Sequence, residues 1–380
     1  MTEPAPLAVY LHWPYCARIC PYCDFNVYRN RNRAEEQARL IQAILKDLTN
    51  QAEQAGPRRL ASIFLGGGTP SLMDPADAAR LIAAAHDLFP TGEAVEITLE
   101  ANPTDAETAR YRAFAEAGVN RLSLGVQTLD DTALAFLGRD HSADEARRAI
   151  TQAQAVFGRV SLDLIYARPG QTAQSWRAEL QAAIALGPEH ISPYQLTIEP
   201  GTAFGRAFDR GALVPPDEEA QEDLYDLTQE ILIDAGFDAY EVSNHARGSD
   251  SRSAHNLNVW RGVDYLGVGP GAHGRVTLDG SRIATVAHRT VADYLASVDA
   301  TGVGLAEADA LSALEAAEER LMLGLRTTEG VALSALEPLD LSARIADLAQ
   351  GDFVTLDHGR LAATAQGRKV LDSVVRALLV

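Results

Sequence analysis

The chain has 380 residues, of which 47% are hydrophobic and 22% charged, and 52 acidic against 33 basic residues give a formal net charge of −19. This composition is typical of a globular chain of about two to three domains, and the acidic balance argues against binding to nucleic acid or to anionic lipid, since both require clustered cations. No apolar run reaches the ~18 residues of a membrane span, and the first six residues lack the basic and apolar regions of a secretory signal, so we expect a cytoplasmic protein.

Strand-like apolar runs alternate with helical patterns through the first half of the chain. Asp74 before a proline has the form of a helix start, and Ser142 with Glu145 has that of a capping box. Gly56 and Gly118 stand where helix C-caps belong. This order predicts an α/β fold whose parallel strands form a closed or nearly closed barrel, with functional residues at the carboxyl ends of the strands. The six strand candidates are Leu7–His12, Leu60–Leu65, Val95–Glu100, Arg121–Val126, Val160–Ile165 and His190–Leu196.

The pattern changes after residue 205. An acidic helix ending near Ala235 is followed by a loop-rich stretch, Tyr240–Arg275. The last ~70 residues contain helices near Ser312–Leu325 and Ser342–Gln350, a hairpin around residues 357–359 and a final helix, an order typical of a winged-helix-like module. We therefore expect a barrel over residues 1–205, a connecting region over 206–305 and a small C-terminal domain over 306–380.

The only three cysteines of the chain, Cys16, Cys20 and Cys23, lie within eight residues. An odd number in one short segment does not form a disulfide framework, so the concentration of thiols predicts a metal site. Thiolates are the usual ligands of iron–sulfur clusters, and three of them on a four-iron cluster leave one iron open to a small molecule. The alternative is a zinc site with His12 as fourth ligand, which the crowding of ligands into one loop disfavours.

The Cys-x3-Cys-x2-Cys spacing after the first strand resembles that of the radical S-adenosylmethionine (SAM) superfamily. The resemblance implies a 4Fe–4S cluster, bound SAM, and a partial (βα)6 radical SAM TIM-like barrel followed by an α+β C-terminal region with the winged-helix-like module. Five further segments are similar to the oxygen-independent coproporphyrinogen III oxidase group: Tyr10–Cys16, Gly66–Ser71, Glu100–Pro103, Gly125–Thr128 and Asp163–Tyr166.

Two features resemble the heme chaperone branch of that group more than its dehydrogenases. Phe25 stands where the dehydrogenases have a fourth cysteine, and the first cysteine comes at residue 16, without their N-terminal extension. That branch also has a His-Asn-x-x-Tyr-Trp motif, which this chain matches at His255–Trp260 except for Val259 in place of tyrosine. The resemblance implies a protein that binds heme and transfers it to an unidentified acceptor protein. The alternatives are a coproporphyrinogen III dehydrogenase that uses a 5′-deoxyadenosyl radical, and a zinc-stabilised binding protein.

The resemblance also assigns cofactor contacts. Gly67 and Gly68 would pack against the methionine end of SAM with Thr69 nearby, and Glu100 would accept hydrogen bonds from ribose hydroxyls. From the residues alone, the glycines could form an ordinary turn and Glu100 could be a solvated carboxylate. Tyr10 and Tyr22 could be aromatic side chains that only pack the barrel mouth. Gln127, Arg139 and Asp163 match positions that contact a second SAM in the dehydrogenases. Tyr10 and Tyr22 match other positions that contact a ligand.

Heme iron needs an axial donor, and the cluster would occupy every cysteine. Since none of the three methionines lies in a ligand-like loop, a neutral histidine imidazole is the best candidate. We expect His255 to be this ligand, because it lies in a Gly- and Ser-rich loop outside the predicted barrel, close to Trp260. His245 and His273 are the alternatives in the same region.

Overall fold

The computed structural model describes residues 3–30, 34–91 and 94–380. Met1 and Thr2, on which the argument about a secretory signal partly depends, lie outside these residues. The strands are β1 (Pro6–Trp13), β2 (Tyr15–Cys16), β3 (Tyr28–Arg29), β4 (Arg59–Gly67), β5 (Glu96–Ala101), β6 (Arg121–Gln127), β7 (Arg159–Tyr166), β8 (His190–Gln195), β9 (Asp238–Glu241), β10 (Asn244–Ala246), β11 (Asp264–Val268), β12 (His273–Leu278), β13 (Ser281–Ala287), β14 (Leu305–Ala310), β15 (Val331–Ala332), β16 (Val354–Asp357) and β17 (Arg360–Ala363).

Most of the helices connect these strands along the chain. They are α1 (Ala34–Ala55), α2 (Pro75–Leu88), α3 (Asp105–Thr108), α4 (Tyr111–Glu116), α5 (Asp131–Phe136), α6 (Ala143–Val156), α7 (Ala173–Ala185), α8 (Ala203–Asp209), α9 (Glu218–Asp234), α10 (Ala254–Trp260), α11 (Val291–Thr301), α12 (Ala313–Leu325), α13 (Ser342–Gln350), α14 (Ala365–Lys369) and α15 (Leu371–Leu379). Short 3-10 turns occupy Pro70–Leu72, Ser249–Ser251 and Leu333–Leu336.

Within the described residues, twelve strands form one sheet in the order β14-β13-β12-β11-β1-β4-β5-β6-β7-β8-β10-β9. Neighbouring strands from β11 to β8 pair in parallel, and all six strands predicted from the sequence are among them. In the part of the chain that the structure describes, the end strands β14 and β9 do not pair with each other, so the barrel is partial. The predicted fold class is confirmed. Because parallel strands align their carboxyl ends, the loops that follow β1 and β4–β8 meet at one edge of the sheet.

The predicted helix starts are also confirmed. The Asp74 side chain accepts a hydrogen bond from the Ala76 amide at the start of α2, and Ser142 and Glu145 form both bonds of a capping box at the start of α6. Gly56 follows α1 with φ 68°, a left-handed conformation that glycine adopts without a steric penalty. These helices pack their apolar faces onto the sheet, and burying each leucine or isoleucine contributes about 1.5–3 kcal/mol.

The stretch Tyr240–Arg275 is not loop-rich, contrary to the sequence analysis. It contains β10, α10, β11 and the beginning of β12, and β11 lies between β1 and β12 in the sheet. Residues 206–305 therefore extend the barrel sheet at both of its edges instead of only connecting two domains. The sequence does not predict these elements, because they are three to seven residues long and are stabilised by strands distant in sequence.

The C-terminal unit has a hydrophobic core of its own, centred on Leu321, Val331, Leu361 and Leu378. Its helices and its three-stranded sheet, β15-β17-β16, follow the predicted order of helix, helix, hairpin and helix. The expected boundary before residue 306 falls inside β14, which pairs with β13, so this unit begins after β14. Among the described residues, no helix combines the length and apolar character that a membrane crossing requires.

Candidate functional site

A cavity of about 1200 Å³ opens at the carboxyl ends of the parallel strands. Residues from widely separated segments of the sequence line it, because the sheet brings the ends of its strands together. Every site residue proposed from the sequence is in this lining: Tyr10, Cys16, Cys20, Tyr22, Cys23, Gly67, Gly68, Thr69, Glu100, Gln127, Arg139, Asp163 and His255.

The cysteine loop, residues 16–27, begins at the last residue of β2 and is held at its base. The Tyr28 amide donates to the Pro14 carbonyl oxygen at 2.7 Å, and the Asn30 amide donates to the Cys16 carbonyl oxygen at 2.7 Å. Burial raises the pKa of Cys16 to about 12, in spite of a hydrogen bond from Thr69. Burial also raises the pKa of Cys23 to about 11. These thiols need a strong compensating positive charge to ionise, which iron supplies to its ligands.

The loop suits a multinuclear cluster better than a single zinc ion. In the described residues, no three His, Cys, Asp or Glu side chains are arranged to hold one metal ion. Both ring nitrogens of His12 are also engaged: Nε2 lies 3.0 Å from the Asn26 carbonyl oxygen and Nδ1 lies 2.9 Å from the Tyr10 hydroxyl. Since a carbonyl oxygen only accepts, Nε2 donates to it and Nδ1 accepts from Tyr10. A cluster presents a different iron to each cysteine, so its ligands need not converge on one point.

Asn102, which the sequence analysis did not select, links two of the three cysteines. Its Nδ2 donates to Thr69 Oγ1 at 3.1 Å, and Arg139 Nη2 donates to its Oδ1. Arg139 Nη1 in turn donates to Cys20 Sγ at 3.4 Å, and Thr69 hydrogen bonds to Cys16. The position of Asn102 in the Glu100–Pro103 segment, directly after β5, was the available signal. This network orients the side chains around two thiols.

The turn after β4 requires glycine at positions 67 and 68, because other parts of the protein pack closely against its backbone. A Cβ on Gly67, whose φ is +106°, would lie 2.6 Å from the His12 ring, and a Cβ on Gly68 would lie 2.7 Å from the Tyr15 carbonyl oxygen. The Gly67 amide donates to Glu100 Oε2 at 3.0 Å, and the Gly68 amide donates to the Trp13 carbonyl oxygen at 2.7 Å. The turn therefore lines the cavity with its backbone, while both amides are satisfied by the protein.

Two half-buried carboxylates, Glu100 and Asp163, lie in the cavity wall. Burial, reinforced by the negative charge of Asp163, raises the pKa of Glu100 to about 8. Burial also raises the pKa of Asp163 to about 6, although Ser123 Oγ donates to its Oδ2 at 2.9 Å. Buried carboxyl groups that line a cavity favour a ligand with hydroxyl donors or positive charge, because either compensates their lost hydration.

The remaining proposed ligand contacts, Gln127, Tyr10 and Tyr22, also line the cavity. Gln127 has φ +64° at an irregularity between β6 and β7, a strained conformation for a residue other than glycine. Tyr10 lies on β1, with its ring centroid 6.2 Å from that of Phe64. Tyr22 lies in the cysteine loop, with its ring centroid 6.3 Å from that of Phe204.

His255 does not lie in a loop outside the barrel, as the sequence analysis expected. It is in the first turn of α10, its side chain is buried, and its Nδ1 lies 3.0 Å from Ser62 Oγ. Glu96 at the start of β5 holds this turn by accepting hydrogen bonds from the amides of Ala254 and His255, at 2.9 and 2.8 Å. The helix α10 is too short to give a recognisable periodic pattern in the sequence. Its first turn is stabilised by a carboxylate that is distant in sequence, which no local pattern reveals.

The two alternative histidines differ in their position relative to the cavity. His245 is fully buried and its Nε2 lies 3.0 Å from Gln229 Oε1, away from the cavity lining. His273, at the start of β12, is exposed and lines the cavity. Trp260 and Val259 also line it. The cavity thus contains His12, His255 and His273.

Comparison with known proteins agrees with this arrangement. Residues 10–183 match the family model described as the radical SAM superfamily, and residues 311–370 match the HemN C-terminal domain. The solved structure of coproporphyrinogen III oxidase (HemN) from Escherichia coli superposes with a TM-score of 0.82, covering 99% of this chain and 90% of that chain at 21% identity. At this identity the similarity establishes the fold.

Curated relatives are similar over most of their length. Heme chaperone HemW from Escherichia coli is 40% identical over 74% of each chain. The protein of the same name from Mycobacterium tuberculosis is 37% identical, covering 98% of this chain and 95% of the relative. The mitochondrial radical S-adenosyl methionine domain-containing protein 1 of Bos taurus is 39% identical, covering 99% and 89%. The chain therefore belongs to the radical SAM superfamily, in the family that contains heme chaperone HemW and radical S-adenosyl methionine domain-containing protein 1.

Proposed function

We propose that this protein binds heme and transfers it to an acceptor protein, and that it carries one 4Fe–4S cluster and SAM. One observation carries the proposal: a single cavity of about 1200 Å³ contains both the cysteine loop and a wall of histidine and aromatic side chains. Its size suits a ligand larger than SAM alone. The similarity to proteins named heme chaperone HemW supports the same function.

In this proposal, Cys16, Cys20 and Cys23 each hold one iron of the cluster. The cluster and SAM would supply one-electron chemistry when bound. Glu100 would accept hydrogen bonds from ribose hydroxyls, and the negative charge of the neighbouring Asp163 would favour the positively charged sulfonium. The turn from Gly67 to Thr69 would contact the methionine end of SAM. Gln127 and Arg139, like Asp163, are at positions that contact a second SAM in the dehydrogenases, and Tyr10 and Tyr22 are further proposed ligand contacts.

The heme would take its axial donor from a cavity histidine. Of the three in the lining, His12 has both ring nitrogens engaged in hydrogen bonds. His255, the candidate from the sequence, and His273 remain. Burial lowers the pKa of His255 to about 4 and also lowers that of His273, so both rings are neutral at pH 7, the form that binds iron.

The coproporphyrinogen III dehydrogenase alternative is less well supported. Its structural basis is the similarity to HemN, which at 21% identity establishes the fold. Phe25 stands two residues past Cys23, at the position of the dehydrogenases' fourth cysteine, and its side chain is exposed. A phenyl ring provides neither a thiolate nor a proton for porphyrinogen chemistry.

Reconstitution tests the proposal. The protein is purified anaerobically, iron and sulfide are quantified, and hemin is titrated while the Soret absorbance is recorded. We expect about four irons per chain, saturable hemin binding, and no conversion of coproporphyrinogen III with SAM and a reductant present. Release is measured by capture of the bound heme by apomyoglobin. Absence of hemin binding, or rapid decarboxylation of coproporphyrinogen, would contradict the chaperone function.

The transfer of heme to an acceptor protein and the cytoplasmic location are predictions. Absence of nucleic-acid binding also remains a prediction from the net charge of −19. Affinity capture with heme-loaded protein, compared with heme-free protein, identifies acceptors that depend on heme.

A further inference from the structure

The part of the cavity wall formed by β12, β13 and the residues after β13 is separate from the part that contains Glu100 and Asp163, and Glu307 of β14, directly opposite Val286, borders it. His273 begins β12 and is directly opposite Val286 of β13 in an antiparallel pair. Directly opposite residues place their side chains on the same face of a sheet. His273, Val286 and Arg289 all line the cavity, and we call these three residues the β12–β13 wall. It therefore combines a metal-binding ring, an apolar side chain and a cation.

His273 is the cavity histidine that a large flat ligand can reach. Its side chain is exposed, and within the described residues no hydrogen bond engages its ring. His255, by contrast, is only 5% exposed and its Nδ1 is close to Ser62. Its ring also packs against that of Phe64, with centroids 4.8 Å apart. A porphyrin iron could approach His255 only after this packing had opened.

Arg289 is available to a carboxylate. Its side chain is exposed and forms no ion pair within residues 3–30, 34–91 and 94–380. Its main chain, however, is held in place, because Asn26 Nδ2 and the Tyr28 hydroxyl donate to its carbonyl oxygen at 2.8 and 3.0 Å. A guanidinium on an ordered backbone suits a propionate group.

The cysteine loop supplies an apolar contact next to this wall. Phe25 lines the cavity and is 62% exposed, an unusual amount for so large an apolar side chain. Its neighbour Asn26 donates to the carbonyl oxygens of both Pro270 and Arg289. A Cβ on Gly271 would lie 2.4 Å from Asn26 Nδ2, so the loop and the turn before β12 are closely packed. Phe25 is therefore held close to the segments that carry His273 and Arg289.

We propose that the β12–β13 wall with Phe25 is the heme subsite of the cavity, in which His273 is the axial ligand and Arg289 contacts a propionate. This inference rests on the proposed heme binding and assigns its location. Phe25 and Val286 contact the porphyrin ring, whose apolar faces favour such side chains. Burial and the charges of Arg275 and Arg289 lower the pKa of His273 in spite of the opposing charge of Glu307, so its imidazole is neutral and free to bind iron.

Hemin titration of the full-length protein tests the ligand. His273→Ala is compared with His255→Ala and with His245→Ala, which removes a buried histidine away from the cavity. We expect a shifted Soret band and at least about tenfold weaker binding in His273→Ala, equivalent to about 1.4 kcal/mol. Added free imidazole should restore the wild-type spectrum in this variant. The other two variants should keep the wild-type Soret position.

A second comparison tests the propionate contact. Arg289→Gln should weaken hemin binding about two- to fivefold, the range of an exposed ion pair, without moving the Soret band. It should leave binding of hemin dimethyl ester, whose propionates are neutral, unchanged. Arg112→Gln, an exposed arginine on the outer helix α4, is the matched control.

The outcomes separate the two proposals. If the wild-type protein does not bind hemin, the proposed function fails and the subsite fails with it. If wild type binds hemin but His273→Ala has an unchanged spectrum and affinity, the subsite is wrong while heme binding stands. Loss of binding in His255→Ala with a wild-type spectrum in His273→Ala would assign the ligand to His255 and overturn the inference.

Discussion

Replacing Asn102 with alanine removes the side chain that connects the surroundings of two cysteines. Thr69 loses the hydrogen bond from Asn102 Nδ2, and Arg139 loses the acceptor Oδ1. Thr69 hydrogen bonds to Cys16, and Arg139 donates to Cys20 Sγ at 3.4 Å. We therefore expect Asn102→Ala to disturb both thiols without removing a cluster ligand.

The size of the effect follows from these contacts. Leaving buried polar groups with one partner fewer costs about 1–3 kcal/mol in the free energy of unfolding. A hydrogen bond from a guanidinium to a thiolate stabilises the more negative, reduced state of the cluster, so weakening it lowers the reduction potential. A loss of about 1 kcal/mol corresponds to about 40 mV, since a tenfold change in a one-electron equilibrium is about 59 mV.

Redox titration of the reconstituted protein, followed by electron paramagnetic resonance, measures this potential. Asn120→Ala is the matched control, because Asn120 also makes two side-chain hydrogen bonds, with the Ile97 amide and the Val95 carbonyl oxygen at 2.9 and 2.8 Å. Asn120 precedes β6, at the end of the barrel away from the cavity. Both variants should unfold at lower urea concentrations, but only Asn102→Ala should have a lower potential.

Two results would refute this reasoning. An unchanged potential in Asn102→Ala would mean that the network supports the fold without influencing the cluster. An equal decrease in Asn120→Ala would mean that the potential responds to any loss of stability, and the specific role of Asn102 would be lost.

Three further predictions concern the cluster, a buried acid and the support of α10. Cys20→Ala should lose the broad cluster absorbance near ~400 nm and most of its iron; full iron content in this variant would contradict the cluster assignment. Because the pKa of Glu100 is raised from 4.5 to about 8 by burial and by Asp163, the native state keeps a proton that the unfolded chain releases, and the free energy of unfolding should fall as pH rises across this range. Urea denaturation of metal-free Glu100→Gln at pH 5 and pH 8 should show a smaller fall than in wild type, and an equal fall would assign the dependence to other groups. Glu96→Gln should lower the free energy of unfolding by about 3 kcal/mol, because Arg159 Nη1, now 2.7 Å from the buried carboxylate, would lose its ionic partner; Glu315→Gln, at an exposed capping box, is the control and should have a much smaller effect.

Much of the fold is determined by signals within short segments. The six barrel strands were predicted because each is an apolar run between helical patterns, and all six are parallel neighbours in the sheet. The capping box at Ser142 and the turn at Gly56 form as expected because such motifs need only a few adjacent residues. The cysteine spacing predicts a cluster for the same reason, since its three thiols come from one loop.

The convergence of the predicted site residues also follows from the sequence, through one topological rule. Glu100 and Asp163 are 63 positions apart, yet both lie near the carboxyl ends of parallel strands and line one cavity. Residues at strand ends could therefore be grouped without knowledge of their contacts. Asn102, in contrast, could be recognised only when its partners Thr69 and Arg139 were placed.

The tertiary structure alone decided where the heme candidates lie. His255 was expected in a loop, but a hydrogen-bonded contact with Glu96, 159 residues earlier, holds it in a buried helical turn. β11 pairs with β1 across about 250 residues, and this pairing carries the β12–β13 wall to the cavity. The sequence by itself determined the barrel strands and the thiol loop, because these depend on local periodicity and spacing. It did not determine which histidine is accessible, because burial depends on contacts between segments that no local pattern relates.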